Sequence, residues 1–137
     1  MLGEKQNRSD SRLAEAESLI LEAKPLFIRH YGETHIATIT ADGTLATLAF
    51  TRGDFAQSER MREALSINFR KAGEGDYSYI WSLYYLGEAK YALGKDSESE
   101  MLFNQALELG GRHWGANDFR FKRLHEYVGK ARAAARG

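Results

Sequence analysis

Apolar residues recur at helical spacing along most of the chain, and glycines interrupt them at intervals. From Tyr77 to Leu93, residues Ile80, Leu83, Leu86 and Tyr91 mark one such stretch, and Asp76 stands where an N-cap belongs. Gly94 follows as the stop, because glycine tolerates the left-handed conformation after a helix. A second stretch runs from Lys95 to Leu109 with Leu102, Phe103, Ala106 and Leu107 on one side, and Gly110 and Gly111 are expected to break it. Applied to the whole chain, the pattern predicts helices over about 11–31, 34–52, 54–72, 76–93, 95–109 and 117–135. Residues 1–10 read as a flexible N-terminus, 11–135 as a single domain and 136–137 as a tail. Pro25 is expected to kink or split the first helix, since it lacks a backbone donor and clashes with the preceding turn. The segment 34–52 is rich in threonine and carries Gly43, so a strand is locally tempting there.

Internal repetition decides that segment in favour of a helix. Gly32, Gly73 and Gly115 are separated by 41 and then 42 residues, and Gly53 and Gly94 by 41. Ala23, Ala64 and Ala106 keep the 41 and 42 offsets, as do Ile20, Met61 and Phe103, and Leu26, Ile67 and Leu109. Leu45, Leu86 and Val128 align as well. A joint register of apolar, small and glycine positions marks a repeated two-helix unit. The inventory is then a lone second-type helix, two complete hairpins and a lone first-type helix.

In the later unit the series Leu83, Leu86, Gly87, Tyr91, Gly94, Ser99, Phe103 and Ala106 resembles a tetratricopeptide repeat. The period, and the GETH segment at 32–35, resemble the longer repeats of the kinesin light chain type. The resemblance covers about residues 12–135 and implies an all-α fold. Antiparallel hairpins would stack as a short right-handed superhelix, with small residues letting paired helices approach.

The resemblance also implies a non-catalytic scaffold that binds a peptide or partner segment in a concave face lined by first-type helices. Carried over by motif position, that face comprises Thr40, Thr44, Thr47 and Thr51, then Trp81, Tyr84, Tyr85, Glu88 and Tyr91, then Arg123, Glu126, Tyr127 and Lys130. Aromatic rings with polar tips suit an interface, because they offer large contact area at low entropic cost. Trp81 and Tyr84 either line the groove or pack between repeats, and Tyr85 and Tyr91 are the stronger core candidates. The threonine stripe is either a row of hydroxyls for a peptide backbone or a solvated neutral face. A clamp for a C-terminal carboxylate needs Lys and Asn at these positions and finds Thr40, Thr44, Trp81, Tyr84 and Glu88 instead.

Composition narrows the chemistry further. The 137 residues contain no cysteine, so there is neither a disulfide framework nor a thiol nucleophile. The histidines His30, His35, His113 and His125 show no metal-binding spacing, and GEGDYS at 73–78 lacks the lysine of a phosphate loop. No cofactor and no active site are expected. The carboxylates Glu15, Glu17, Glu22, Glu59, Glu63, Glu98 and Glu100 read as a solvated outer face of the second-type helices. Without an apolar leader or a membrane-spanning run, a cytoplasmic location is the expectation.

The net charge of +0 conceals a division, with −5 on residues 1–109 and +5 on residues 110–137. Arg120, Lys122, Arg123, Lys130, Arg132 and Arg136 form a basic patch on the last helix. It reads as a solvating cap, or as a surface for an acidic protein or, less favoured, for nucleic acid. The opposite charges and the unpaired terminal helices give self-assembly into a homo-oligomer as a second functional reading.

Overall fold

A computed structural model describes the backbone of residues 2–136 and the side chains of residues 8–134. Among these residues it contains six helices and no strand. They are α1 (Leu2–Tyr31), α2 (Ile36–Thr51), α3 (Phe55–Arg70), α4 (Tyr77–Ala92), α5 (Asp96–Trp114) and α6 (Phe119–Arg136). The fold is all-α, as expected, and the strand alternative for 34–52 is excluded.

The start of α1, its course at Pro25 and the end of α5 differ from the sequence reading. The expected flexible N-terminus is helical from Leu2, and α1 runs without interruption through Pro25, so the helix is not split there. Met1 and Gly137 lie outside the described residues. Gly110 and Gly111 do not break α5, which continues to Trp114. They serve helix packing instead: a Cβ on Gly110 would lie 3.3 Å from the ring of Phe121 and 3.4 Å from Leu124, both on α6. The stop falls at Gly115, whose φ of +92° is open to glycine at little cost.

The local signals explain the helix ends. Gly32, Gly53, Gly73, Gly94 and Gly115 are the described residues with positive φ, and all five belong to the repeat register. Three turns use an equivalent cap. Asp76 accepts from the Tyr79 amide at 3.0 Å, His35 Nδ1 from the Ala37 amide at 3.1 Å, and Asp118 from the Arg120 amide at 2.8 Å. Each satisfies one of the orphan donors of a helix start.

The chain forms two compact units, Met1–Ser58 and Glu59–Gly137, and the boundary lies within α3. In the first unit α1 packs along α2. Lys24 pairs with Asp42 at 2.6 Å, and Arg52, the C-cap of α2, pairs with Glu17. The buried positions of α2 include Thr38, Ile39, Leu45, Ala46 and Leu48. The Thr38 hydroxyl donates to the Gly32 carbonyl at 2.8 Å, so this polar group is satisfied.

In the second unit α4 and α5 form a tight hairpin, and α6 packs against both. Its core joins Ile80, Leu83, Phe103, Ala106, Leu109, Leu124 and Val128 with the rings of Tyr79, Trp81 and Tyr84. Phe103 is fully buried and lies over Gly87, where a Cβ would come within 2.7 Å of the ring. Glycine is therefore required at 87 by close approach rather than by backbone angle.

One hydrogen bond recurs in both units. Ser58 donates to the Ala46 carbonyl at 3.0 Å, and Ser99 donates to the Gly87 carbonyl at 2.6 Å. Both pairs are 41 residues apart, and all four residues are buried. This bond corrects the register of the second-type helices. With Ser58 matched to Ser99, buried Leu65 falls on buried Ala106, and Arg62 falls on Phe103. The expected match of Ala64 with Ala106 is off by one residue, since Ala64 is exposed. Ile67, aligned in sequence with buried Leu109, is likewise 63% exposed.

The carboxylates of the second-type helices are not uniformly solvated. Glu17 on α1 pairs with Arg52 at the end of α2. Glu59 on α3 pairs with Lys90 of α4 at 3.0 Å and with Lys95 at 2.8 Å. Glu100 on α5 pairs with Arg132 of α6 at 2.8 Å. Each joins a second-type helix to the latter part of the next first-type helix or its cap. These pairs are partly shielded from water, so removing one partner leaves a poorly solvated charge.

Candidate functional site

The aromatic side chains expected on one face of α4 divide between core and surface. Trp81 and Tyr84 are 7% and 4% exposed and pack in the core, although Tyr84 also borders the groove described below. The cause is α6: Tyr127 meets Trp81 edge-on at 5.2 Å and Tyr84 at 5.9 Å. Trp81 and Tyr84 also pack edge-to-face at 5.6 Å. Such perpendicular arrangements favour aromatic pairs, and here they fix the seam between α4 and α6. Tyr91 turns away from this seam. Its ring stacks on Phe103 at 5.6 Å and its hydroxyl donates to Glu100 at 2.8 Å.

An open groove of about 330 Å³ remains between α4 and α6. It is lined by Tyr84 and Glu88 from α4 and by Tyr127, Lys130, Ala131 and Ala134 from α6. Tyr84, Glu88, Tyr127 and Lys130 were all expected at a binding face, and the structure brings them together. Ala131 and Ala134 had no motif signal. Their small size opens the groove, which only the placement of α6 reveals.

Tyr84 donates to Glu88 Oε2 at 3.0 Å. Burial pushes the Glu88 carboxyl above its ordinary range, opposed by the Tyr84 hydrogen bond and by attraction to Arg62. Burial likewise pushes the Tyr84 and Tyr85 hydroxyls upward. Tyr85 is half-buried with the Arg62 guanidinium 4.4 Å above its ring. Burial lowers the Arg62 pKa, as expected for a cation drawn partly out of water. Arg123 at the outer edge lies 5.6 Å over the Tyr127 ring and donates to its hydroxyl at 3.4 Å. Lys130 Nζ is 3.8 Å from Glu126.

The threonine stripe has a different character. Thr40, Thr44, Thr47 and Thr51 are all exposed. The hydroxyls of Thr44, Thr47 and Thr51 donate to the carbonyls of Thr40, Gly43 and Thr47 at 2.9–3.1 Å. Their protons are thus engaged within α2 itself, which explains how a threonine-rich segment is accommodated in a helix.

The basic patch is largely answered from within. Arg120 makes a two-pronged contact with Asp118 at 2.9–3.0 Å and lies over the Trp114 ring, and Arg132 binds Glu100 and Asn104. Lys122 is exposed, and the side chain of Arg136 lies outside the described residues. On α6 the positions matching Ile80, Leu83 and Gly87 are Lys122, His125 and Gly129, 42 residues later. Gly129 has open space where Gly87 meets Phe103. This outer face of α6 is therefore polar. Among the described residues no group of His, Cys, Asp and Glu is arranged to hold a metal ion, and no helix is long and apolar enough to cross a membrane.

A family model described as the tetratricopeptide repeat matches residues 39–110, just over half of the chain. No curated protein matches it.

Proposed function

The chain belongs to the tetratricopeptide repeat family, and on that premise we propose that it is a non-catalytic scaffold that grips a peptide or partner segment in the groove between α4 and α6. Repeats of this family generally mediate protein–protein interaction. The observation that carries the reading is the groove itself, where Tyr84, Glu88, Tyr127 and Lys130 converge from two helices. Its volume of about 330 Å³ is at the lower end of ligand-binding clefts, enough for one or two side chains. Tyr127 and Lys130 have exposed or half-exposed side chains and project from one helix, so both are available to a partner.

The test is affinity capture from a cell extract, read by mass spectrometry. The double variant Tyr127→Ala with Lys130→Ala removes groove wall, and Lys130→Ala alone, at an exposed position, is the companion probe because Tyr127 also packs on Trp81 and Tyr84. Loss of the specifically captured proteins, with helical circular dichroism unchanged, is the expected result. An unaltered set captured by the folded variant overturns the reading. Trp81→Ala and Tyr84→Ala are poorer probes, because truncating a buried aromatic costs about 3–5 kcal/mol and confounds binding with folding.

A further inference from the structure

The α4–α6 groove has a chemical preference that its family membership does not supply. Two of its six lining residues carry charge, Glu88 and Lys130. Lys130 is exposed and already faces Glu126. Glu88 is half-buried, and its hydrogen-bond partner is the neutral Tyr84 hydroxyl. Arg62 attracts it from the α3 side, but its guanidinium is placed over Tyr85, outside the groove lining. The groove therefore holds a carboxylate, the half-exposed ring of Tyr127 and the small side chains of Ala131 and Ala134. A carboxylate near an accessible aromatic ring is suited to a cation: the charge meets the carboxylate and the adjoining methylenes meet the ring.

We propose that the groove receives a basic side chain of the partner, arginine or lysine, with its cationic head on Glu88 and its stem along the Tyr127 ring and the methyls of Ala131 and Ala134. This rests on the groove being the binding site. The incoming cation compensates a carboxylate whose ionised form burial disfavours, so part of the binding energy comes from relieving a cost already present in the free protein. Partners with an acidic or neutral residue at this position lack that gain and meet the Glu88 charge instead.

The probes are four capped tripeptides, Ac-Ala-Arg-Ala-NH2, its lysine, citrulline and glutamate counterparts, titrated into the full chain. The readout is the NMR shift of the Ala131 and Ala134 methyl groups. The arginine and lysine peptides are expected to give saturable shifts, with citrulline at least fivefold weaker and glutamate weaker still. Glu88→Gln should weaken the arginine peptide at least fivefold. Ala134→Leu, an exposed position that narrows the groove and leaves Glu88 intact, should weaken it independently of any effect of Glu88→Gln on folding. Equal binding of arginine and citrulline, or undiminished binding to Glu88→Gln, overturns the proposal. Saturable shifts with the glutamate peptide alone overturn the cation preference and leave the groove as the binding site. If no peptide shifts either methyl, the cation preference is overturned, and the groove is judged separately by the capture experiment on Tyr127 and Lys130.

Discussion

The two complete first-type helices, α2 and α4, occupy equivalent places in the repeat and have opposite surfaces. Both contain 16 residues and begin 41 residues apart. Both receive a buried serine hydroxyl on a small residue, Ala46 or Gly87. Yet α2 exposes a row of threonines that bond to their own helix, whereas α4 presents aromatics that pack against α6 and leave one groove open. The shared serine contact holds the hairpin. The other face differs between the two helices, and the proposed recognition site lies there.

That contrast is open to attack by substitution, beginning where the effect is largest. Phe103→Ala removes a fully buried ring stacked on Tyr84 and Tyr91, and is expected to cost about 3–5 kcal/mol in denaturant unfolding. Gly87→Ala drives a methyl into the same ring and should cost about 1–3 kcal/mol, whereas position 46 already carries alanine. Recovery of the Gly87→Ala loss on adding Phe103→Leu would identify the close approach as the cause.

Two carboxylates in the second unit should respond to pH with opposite sign. Hydrogen bonding from Lys95, then from Lys90, holds Glu59 below its ordinary value near 4.5 despite the opposing effect of burial. Its ionised form stabilises the fold above that value, and the contribution is lost as pH falls through the lower folded value. Glu59→Gln should therefore cost roughly 1–2 kcal/mol at pH 7 and progressively less in acid. Burial raises Glu88, so the folded state favours its neutral form. Its ionisation weighs against the fold as pH rises past the ordinary range, and Glu88→Gln should leave stability at pH 7 unchanged or slightly higher. Equal losses from both substitutions at pH 7 would contradict this contrast.

Smaller effects separate the helix faces. Ser58→Ala and Ser99→Ala remove the shared hydrogen bond and should each cost about 1 kcal/mol in unfolding experiments. Thr44→Ala and Thr47→Ala remove hydroxyls whose protons stay within α2, and alanine is the better helix former. These two should change stability by less than about 0.5 kcal/mol, in either direction.

Much of this was legible in the sequence because it is local. Each glycine of the repeat register at 32, 53, 73, 94 and 115 ends a helix with positive φ, and Asp76 caps as its position predicts. The repeat also overruled the poor helix propensity of 34–52, since a helix face can be held by packing against propensity. Gly110 and Gly111 misled because the same residue type serves a turn and a close approach, and only α6 distinguishes them. The single-residue slip at Ala64 had a related cause: small residues matched by identity, whereas the buried serine fixes the register. Of the candidate face, Tyr84, Glu88, Tyr127 and Lys130 come together at the groove. Trp81 packs between helices because a helix 42 residues later lies across α4, and Tyr91, a core candidate from the sequence, packs on Phe103 of α5.

The most direct test of the α4–α6 groove is hydrogen exchange of the full chain, free and bound to a partner obtained by capture. The account predicts slower exchange in the segments bearing Glu88 and residues 127–134, with the α2 segment bearing Thr40 to Thr51 unchanged. Slowing confined to α2, with the α4–α6 segments unchanged, would contradict it.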